Sequence, residues 1–196
     1  MIIGLTGSIA SGKSTIADMI RNMGLPIVDA DLVARQVVEV GSPTLAEIVE
    51  EFGQDILLST GEMDRAKVGA IIFNDEQKRL KLNSIIHPAI RVEMIRQRDA
   101  YVGEGKHVVM DIPLLFESKL QHLVDKILVV TVSPDVQLQR LMTRNNLSKE
   151  EAEARIASQL PLKEKEEGAD AIIYNNGTIE QSKHQLLDIM HSWVVI

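Results

Sequence analysis

One stretch constrains this chain more than any other: Gly7-Ser-Ile-Ala-Ser-Gly-Lys-Ser14, which has the form Gly-x4-Gly-Lys-Ser. Its glycines let the backbone curl until successive N–H groups surround an anion, and a helix starting there contributes its positive end. The flanks agree with that reading. Met1 to Thr6 is a short apolar run that reads as a strand, and Ile16, Met19, Ile20 and Met23 recur at helical spacing. A strand, loop and helix in this order form a cradle for a nucleotide polyphosphate, built from Ala10, Ser11, Gly12, Lys13, Ser14 and Thr15. Lys13 reaches the β and γ phosphates and Ser14 ligates Mg²⁺. From average residue frequencies, a chance match anywhere in a chain of this length has a probability on the order of 1%. A glycine turn that only joined strand to helix would need no lysine followed by a hydroxyl.

The rest of the chain repeats the alternation. After Gly24 and Pro26, a short apolar stretch ends at Asp29, and residues 31–40 resume a helical pattern. Continuous apolar runs at His107 to Ile112 and Lys126 to Val132 read as central parallel strands, and Ala171 to Tyr174 as a last short one before a closing helix. Between them, residues 42–105 show only helical periodicities, interrupted at His87-Pro88. Residues 135–167 form a charged helical region restarted by the capping box Ser148-Lys-Glu-Glu151. Five short strands alternating with helices predict an α/β domain, a parallel sheet with helices on both faces, because parallel strands need crossover connections.

Composition narrows the function. Lys and Arg total 21 against 28 Asp and Glu, a formal charge of −7, which disfavours a broad nucleic-acid footprint; an anionic ligand must be met by a local cationic pocket. The absence of cysteine removes disulfides, thiolate zinc sites and cysteine nucleophiles, so any metal is expected to be a hard cation held by oxygen. No window is long and apolar enough for a bilayer span and the N-terminus has no signal-peptide pattern, so a cytoplasmic protein with no membrane partner is expected.

Several side chains can complete the chemistry. Asp29 and Asp31 follow the second strand, where ligands of open parallel sheets bind; either can orient an acceptor hydroxyl or cap the next helix. Asp111 ends a strand, and can serve Mg²⁺ or bond to the phosphate loop. Arg140 and Arg144 share a helical face and can neutralise charge on a transferring phosphoryl group, or form a solvated ion-paired face. From spacing alone His87 is a packing or capping residue.

Taken together the sequence resembles the dephospho-CoA kinase family over essentially its whole length. The matching pieces are Leu5 to Thr15, Val28-Asp-Ala-Asp-Leu-Val-Ala-Arg35, His87-Pro88, Ile112-Pro-Leu-Leu-Phe-Glu117, Arg140-x3-Arg144, Arg155-Ile-x2-Gln159, Ala169-Asp170 and Asn175-x-Gly177. The resemblance implies a three-layer P-loop NTPase fold with strand order 2-3-1-4-5. It implies one kinase domain with its core in residues 1–40, 106–134 and 168–196, a helical substrate-binding insertion over about 42–105 and a lid over about 135–167. It further implies ATP-dependent phosphorylation of the 3′-hydroxyl of dephospho-coenzyme A, with Asp31 as base or orienter and Lys13 and Arg140 stabilising charge. Arg35, His87, Leu114, Leu115 and Glu117 would meet the acceptor, Arg144, Asn175 and Gly177 the nucleotide, and Ser14 and Asp111 the metal. Tyr174 departs from the acidic residue the family often carries there, which bears on the adenine contacts. The expected partner is this small molecule, the protein being a monomer or weak homo-oligomer. A kinase of another metabolite would lack the Asp-Ala-Asp, His-Pro and Pro-Leu-Leu-Phe-Glu set, and a GTPase-like switch would carry an Asn-Lys-x-Asp motif, which is absent.

Overall fold

β1 (Ile2–Gly7), β2 (Ile27–Asp29), β3 (Val108–Asp111), β4 (Lys126–Thr131) and β5 (Ala171–Tyr174) form one parallel sheet in the order β2-β3-β1-β4-β5, in a computed structural model that describes residues 1–196. Register is fixed by pairs such as Leu5 with Asp111, Gly7 with Val130 and Thr131 with Tyr174. Because the strands are parallel, their carboxyl ends lie along one edge. That edge collects Gly7, Asp111, Thr131 and the turn after Tyr174.

The chain separates into two compact units, Met1–Val28 with Arg98–Ile196, and Asp29–Gln97. In the first, α1 (Lys13–Asn22) and α9 (Ile179–Ser192) cover one sheet face. Ile16, Ala17 and Ile20 of α1 and Leu186 and Met190 of α9 pack with Ile3, Leu5, Val109, Leu128, Val130 and Ile173. Alternation along β1 turns Gly4 to the opposite face, where Leu115 and Val124 lie close against it. The same unit holds α6 (Pro134–Asn145), α7 (Lys149–Ala157) and α8 (Leu162–Glu167). The capping box at α7 is complete, with the Ser148 amide donating to Glu151 and the Glu151 amide to the Ser148 hydroxyl.

The second unit contains α2 (Ala30–Gln36), α3 (Pro43–Phe52), α4 (Arg65–Phe73) and most of α5 (Glu76–Gly103). Its core is Val38, Ile48, Ile56, Val68, Leu82 and Ile85. Val38, just after α2, is part of that core, which explains why the unit begins at Asp29 and takes in α2. Its extended structure is limited to an isolated bridge between Leu57 and Met63. The interruption expected at His87-Pro88 does not occur, since α5 runs through Pro88. Proline removes one helical donor, and the turns on either side, anchored by buried Leu82, Ile85 and Met94, carry the helix on. No helix is long and apolar enough to cross a membrane.

The core arrangement makes a direct prediction. Leu128 is fully buried between its β1 and β5 neighbours. Leu128→Ala should lower stability by about 2–5 kcal/mol, seen as a lower urea midpoint with an unchanged slope.

Candidate active site: the phosphate loop and its supports

The loop between β1 and α1 is shaped by two residues with positive φ, Ala10 at 61° and Gly12 at 88°. A side chain at Gly12 would be strained and would also collide with the Asn175 amide. Gly12 is the N-cap of α1 and supplies no side-chain cap, and the first turn carries no acidic residue. The Thr15 amide donates to the Gly12 carbonyl at 3.0 Å, so the amides of Lys13 and Ser14 and the positive end of the helix are what is left for a ligand.

The outer side of the loop, by contrast, is held by the surrounding chain, with the buried Ser11 hydroxyl left without a partner. Gln137 Nε2 donates to Ser8 Oγ at 3.0 Å and to the Ile9 carbonyl at 2.8 Å. Gln159 Oε1 accepts from Ser8 Oγ and from the Ile9 amide, both at 2.8 Å. The Ser11 amide donates to the Ser8 carbonyl at 3.1 Å, and Asn175 Nδ2 donates to the Ser11 carbonyl at 2.8 Å. Asn175 Oδ1 in turn accepts from Ser182 Oγ of α9 at 2.8 Å. The Gly7 carbonyl accepts from Lys165 Nζ at 3.1 Å.

A cleft of about 600 Å³ opens beside the loop. Its walls include Ala10, Gly12, Ser14 and Thr15 from the loop and α1, Arg140 and Arg144 from α6, and Asn175 and Gly177 after β5. Most of the nucleotide residues expected from the sequence thus meet in one place. Two differ in detail. Ser11 is fully buried and belongs to the loop's interior, and the Asn175 side-chain amide is spent on Ser11 and Ser182. Gly177 has a local cause: a Cβ there would strike the Gln181 side chain, which reaches back to the Thr178 amide to cap α9.

Lys13 Nζ pairs with Asp111 Oδ1 at 2.5 Å, and Asp111 is almost fully buried at the end of β3. The carboxylate holds the ammonium beside the loop. Ser14 and Asp111 offer oxygen donors of the kind a hard cation takes. No group of three or more His, Cys, Asp or Glu side chains gathers anywhere in the protein.

Of the acceptor candidates, Asp31, Arg35 and His87 belong to the second unit and are exposed. Asp29 caps α2, its Oδ1 accepting from the Asp31 and Leu32 amides at 3.0 and 3.1 Å, while Asp31 and Arg35 stand one turn apart on a common face of α2. Leu114, Leu115 and Glu117 belong to the first unit. Leu114 is at the surface, but Leu115 is fully buried against Gly4 and is a core residue rather than a surface contact. Glu117 is bound inward, its Oε1 2.8 Å from Lys165 Nζ and 3.1 Å from the Leu160 amide.

Sequence reasoning assigned no role to Gln137 or Lys165, and none of its own to Gln159. Gln137 carried a signal: it lies one turn before buried Leu141 on the inward face of α6, where a polar side chain needs a partner. Lys165 carried none, because within Leu162-Lys-Glu-Lys-Glu-Glu167 it looks no different from solvent-exposed Lys163.

With the sheet order and loop geometry described, the protein falls among P-loop kinases. A shikimate kinase from Bacteroides thetaiotaomicron superposes with a TM-score of 0.52 at 17% identity, covering 99% of this chain and 98% of that one, a likeness of fold. The family model for dephospho-CoA kinase, CoaE, matches residues 1–181. A dephospho-CoA kinase of Bacillus anthracis is 56% identical over 100% of this chain and 98% of its own length. The structure of one from Campylobacter jejuni matches with a TM-score of 0.78 at 30% identity, covering 98% of this chain and 96% of that one. The chain belongs to the dephospho-CoA kinase family.

The Glu117–Lys165 pair gives a pH prediction. Burial pushes the Glu117 carboxyl up, but the hydrogen bond from Lys165 and those from the Glu117 and Leu160 amides outweigh it, leaving the group below its ordinary value of 4.5. A carboxyl lowered on folding stabilises the fold above the unfolded value, and the contribution is lost as pH falls through the folded one. Glu117→Gln should cost about 2 kcal/mol at pH 7, under the roughly 3–5 of a wholly buried pair because Glu117 keeps some solvent contact. The gap to the parent protein in denaturation midpoint should shrink steadily below about pH 4.

Proposed function

We propose that this protein transfers the γ-phosphoryl group of ATP to the ribose 3′-hydroxyl of dephospho-coenzyme A, giving coenzyme A and ADP. The observation that carries the proposal is the cleft of about 600 Å³, which combines a phosphate loop with two arginines of one helix face and is of a size to hold a nucleotide. Family membership supports the choice of acceptor.

Phosphoryl transfer of this kind is catalysed by placement and charge neutralisation. The acceptor oxygen forms its bond to the γ-phosphorus as the bond to the bridging oxygen of ADP breaks, and the hydroxyl proton passes to a base. Asp31 is the better candidate for that base, since the Asp29 carboxylate is committed to capping α2. Lys13 and Arg140 offset the charge that develops on the phosphoryl and leaving oxygens. Ser14 and Asp111, directly or through water, would hold Mg²⁺, which would neutralise phosphate charge there. Arg35, His87 and Leu114 serve the acceptor.

Water competes with the acceptor hydroxyl, so closure over the bound pair is part of this reading, with 42–105 as the acceptor-binding insertion and 135–167 as the lid. Within that lid, movement falls to the charged stretch ending in α7, because Gln159 and Lys165 tie the chain beyond it to the loop.

ADP release with Mg²⁺-ATP should depend on dephospho-coenzyme A, with coenzyme A as product, and not on adenosine or AMP; turnover with another acceptor alone would replace the substrate. Asp31→Asn should lower turnover by about 10²–10⁴-fold while ATP binding survives, measured by steady-state kinetics beside calorimetric titration. Lys13→Ala should weaken both ATP affinity and rate, because the ammonium meets phosphate in ground and transition states alike; near-normal turnover would remove the loop from the mechanism.

A further inference from the structure

Lys165 is the most buried charge in the protein, with no exposed surface, although it sits in a short helix whose other lysine, Lys163, is exposed. Its ammonium has three hydrogens and three acceptors. They are the Gly7 carbonyl at 3.1 Å, the Pro113 carbonyl at 3.4 Å and Glu117 Oε1 at 2.8 Å. Those acceptors come from two separate pieces of chain, the first residue of the phosphate loop and the segment after β3. The Pro113 carbonyl also accepts from Thr6 Oγ1 at 3.0 Å, and Glu117 accepts from the Leu160 amide at 3.1 Å, so the same node ties in β1 and the turn before α8.

Filling this space for stability alone calls for no charge. A methionine is close in length and avoids the several kcal/mol that desolvating an ammonium costs, and replacing buried ion pairs by apolar side chains is often neutral or better. What a tetrahedral ammonium supplies, and an apolar chain cannot, is a fixed distance between three oxygens. Two of those belong to the segment Pro113 to Glu117, whose exposed Leu114 meets the acceptor in the reading above, and one to the loop that holds the donor.

We propose that Lys165 is a positioning residue for phosphoryl transfer, which sets the separation between the donor-holding loop at Gly7 and the acceptor-side segment Pro113–Glu117. The proposal rests on the functional reading given above. Without the tie, each substrate still finds its own contacts, but the acceptor hydroxyl is displaced from the γ-phosphorus, and displacements of about 1 Å cost on the order of 10²-fold in rate. The γ-phosphoryl group then passes to water in a growing share of turnovers, ATP and water giving ADP and inorganic phosphate.

The test is the ratio of ADP to coenzyme A produced from Mg²⁺-ATP and dephospho-coenzyme A by the parent protein, Lys165→Met and Glu117→Gln. A merely structural role reduces the number of active molecules and leaves that ratio at parity. The proposal expects parity in the parent protein and a ratio above parity in Lys165→Met, with turnover per folded molecule down by more than about tenfold and ATP affinity nearly unchanged. Glu117→Gln, which keeps the shape of the node but weakens its grip, is expected to shift the ratio the same way to a smaller extent, and decides the matter if Lys165→Met does not fold. A ratio at parity in the folded variants, whatever their turnover, overturns the role of Lys165. A parent protein that makes no coenzyme A overturns instead the functional reading beneath it.

Discussion

The chemistry of the first unit depends on a division of labour within the phosphate loop. A loop that presents amides to an anion must dispose of its carbonyls and hydroxyls elsewhere, because buried polar groups without partners are costly. Here four side chains take up most of them: Gln137 the Ile9 carbonyl, Gln159 the Ser8 hydroxyl, Asn175 the Ser11 carbonyl and Lys165 the Gly7 carbonyl, all from behind. Each comes from a different part of the chain after β4, so the loop takes its shape only once α6, the turn before α8, α8 itself and the end of β5 are in place. The cradle at residues 7–14 is local in sequence and non-local in its support.

The parallel sheet makes that convergence possible. With every strand running the same way, the connections after β1, β3, β4 and β5 all leave from one edge. Asp111 reaches Lys13 from the neighbouring strand, and Thr131 Oγ1 at the end of β4 donates to Glu166 Oε1 of α8 at 2.5 Å. The apolar pairs beneath, such as Leu5 beside Leu128 and Val130 beside Ile173, make the edge rigid enough for such contacts to be specific.

The sequence made the loop, the strands and their alternation with helices legible because each rests on local signals. The run from Lys126 predicted as a strand is one, the last strand falls on Ala171–Tyr174, and the Ser148 capping box forms as written. Strand order came from resemblance, since nothing in a run of β-branched residues says which neighbour it pairs with. What could not be read was direction of burial in charged segments. Lys165 and Lys163 are two residues apart in one acidic stretch, and only the fold decides that the first turns inward. Asp29 and Asp31 show the same limit at shorter range, where capping geometry separates two carboxylates that composition makes equivalent.

The two lysines beside the loop show how one kind of charge serves two ends. Lys165 has all three N–H groups taken by protein oxygens and no solvent contact, so it has nothing left with which to bind a ligand. Lys13 is partly exposed and pairs with one carboxylate oxygen of Asp111, which holds the ammonium at the sheet edge while leaving donors for phosphate oxygens. Saturation fits the lysine proposed to hold the site together, and incomplete satisfaction fits the one proposed to act in it. The amide of Asn175 also bonds within the fold, to Ser11 and Ser182, whereas the guanidinium of Arg140 lines the cleft 3.9 Å from where a Gly12 side chain would begin. Chemistry in this unit falls to the polar groups that folding leaves only partly satisfied.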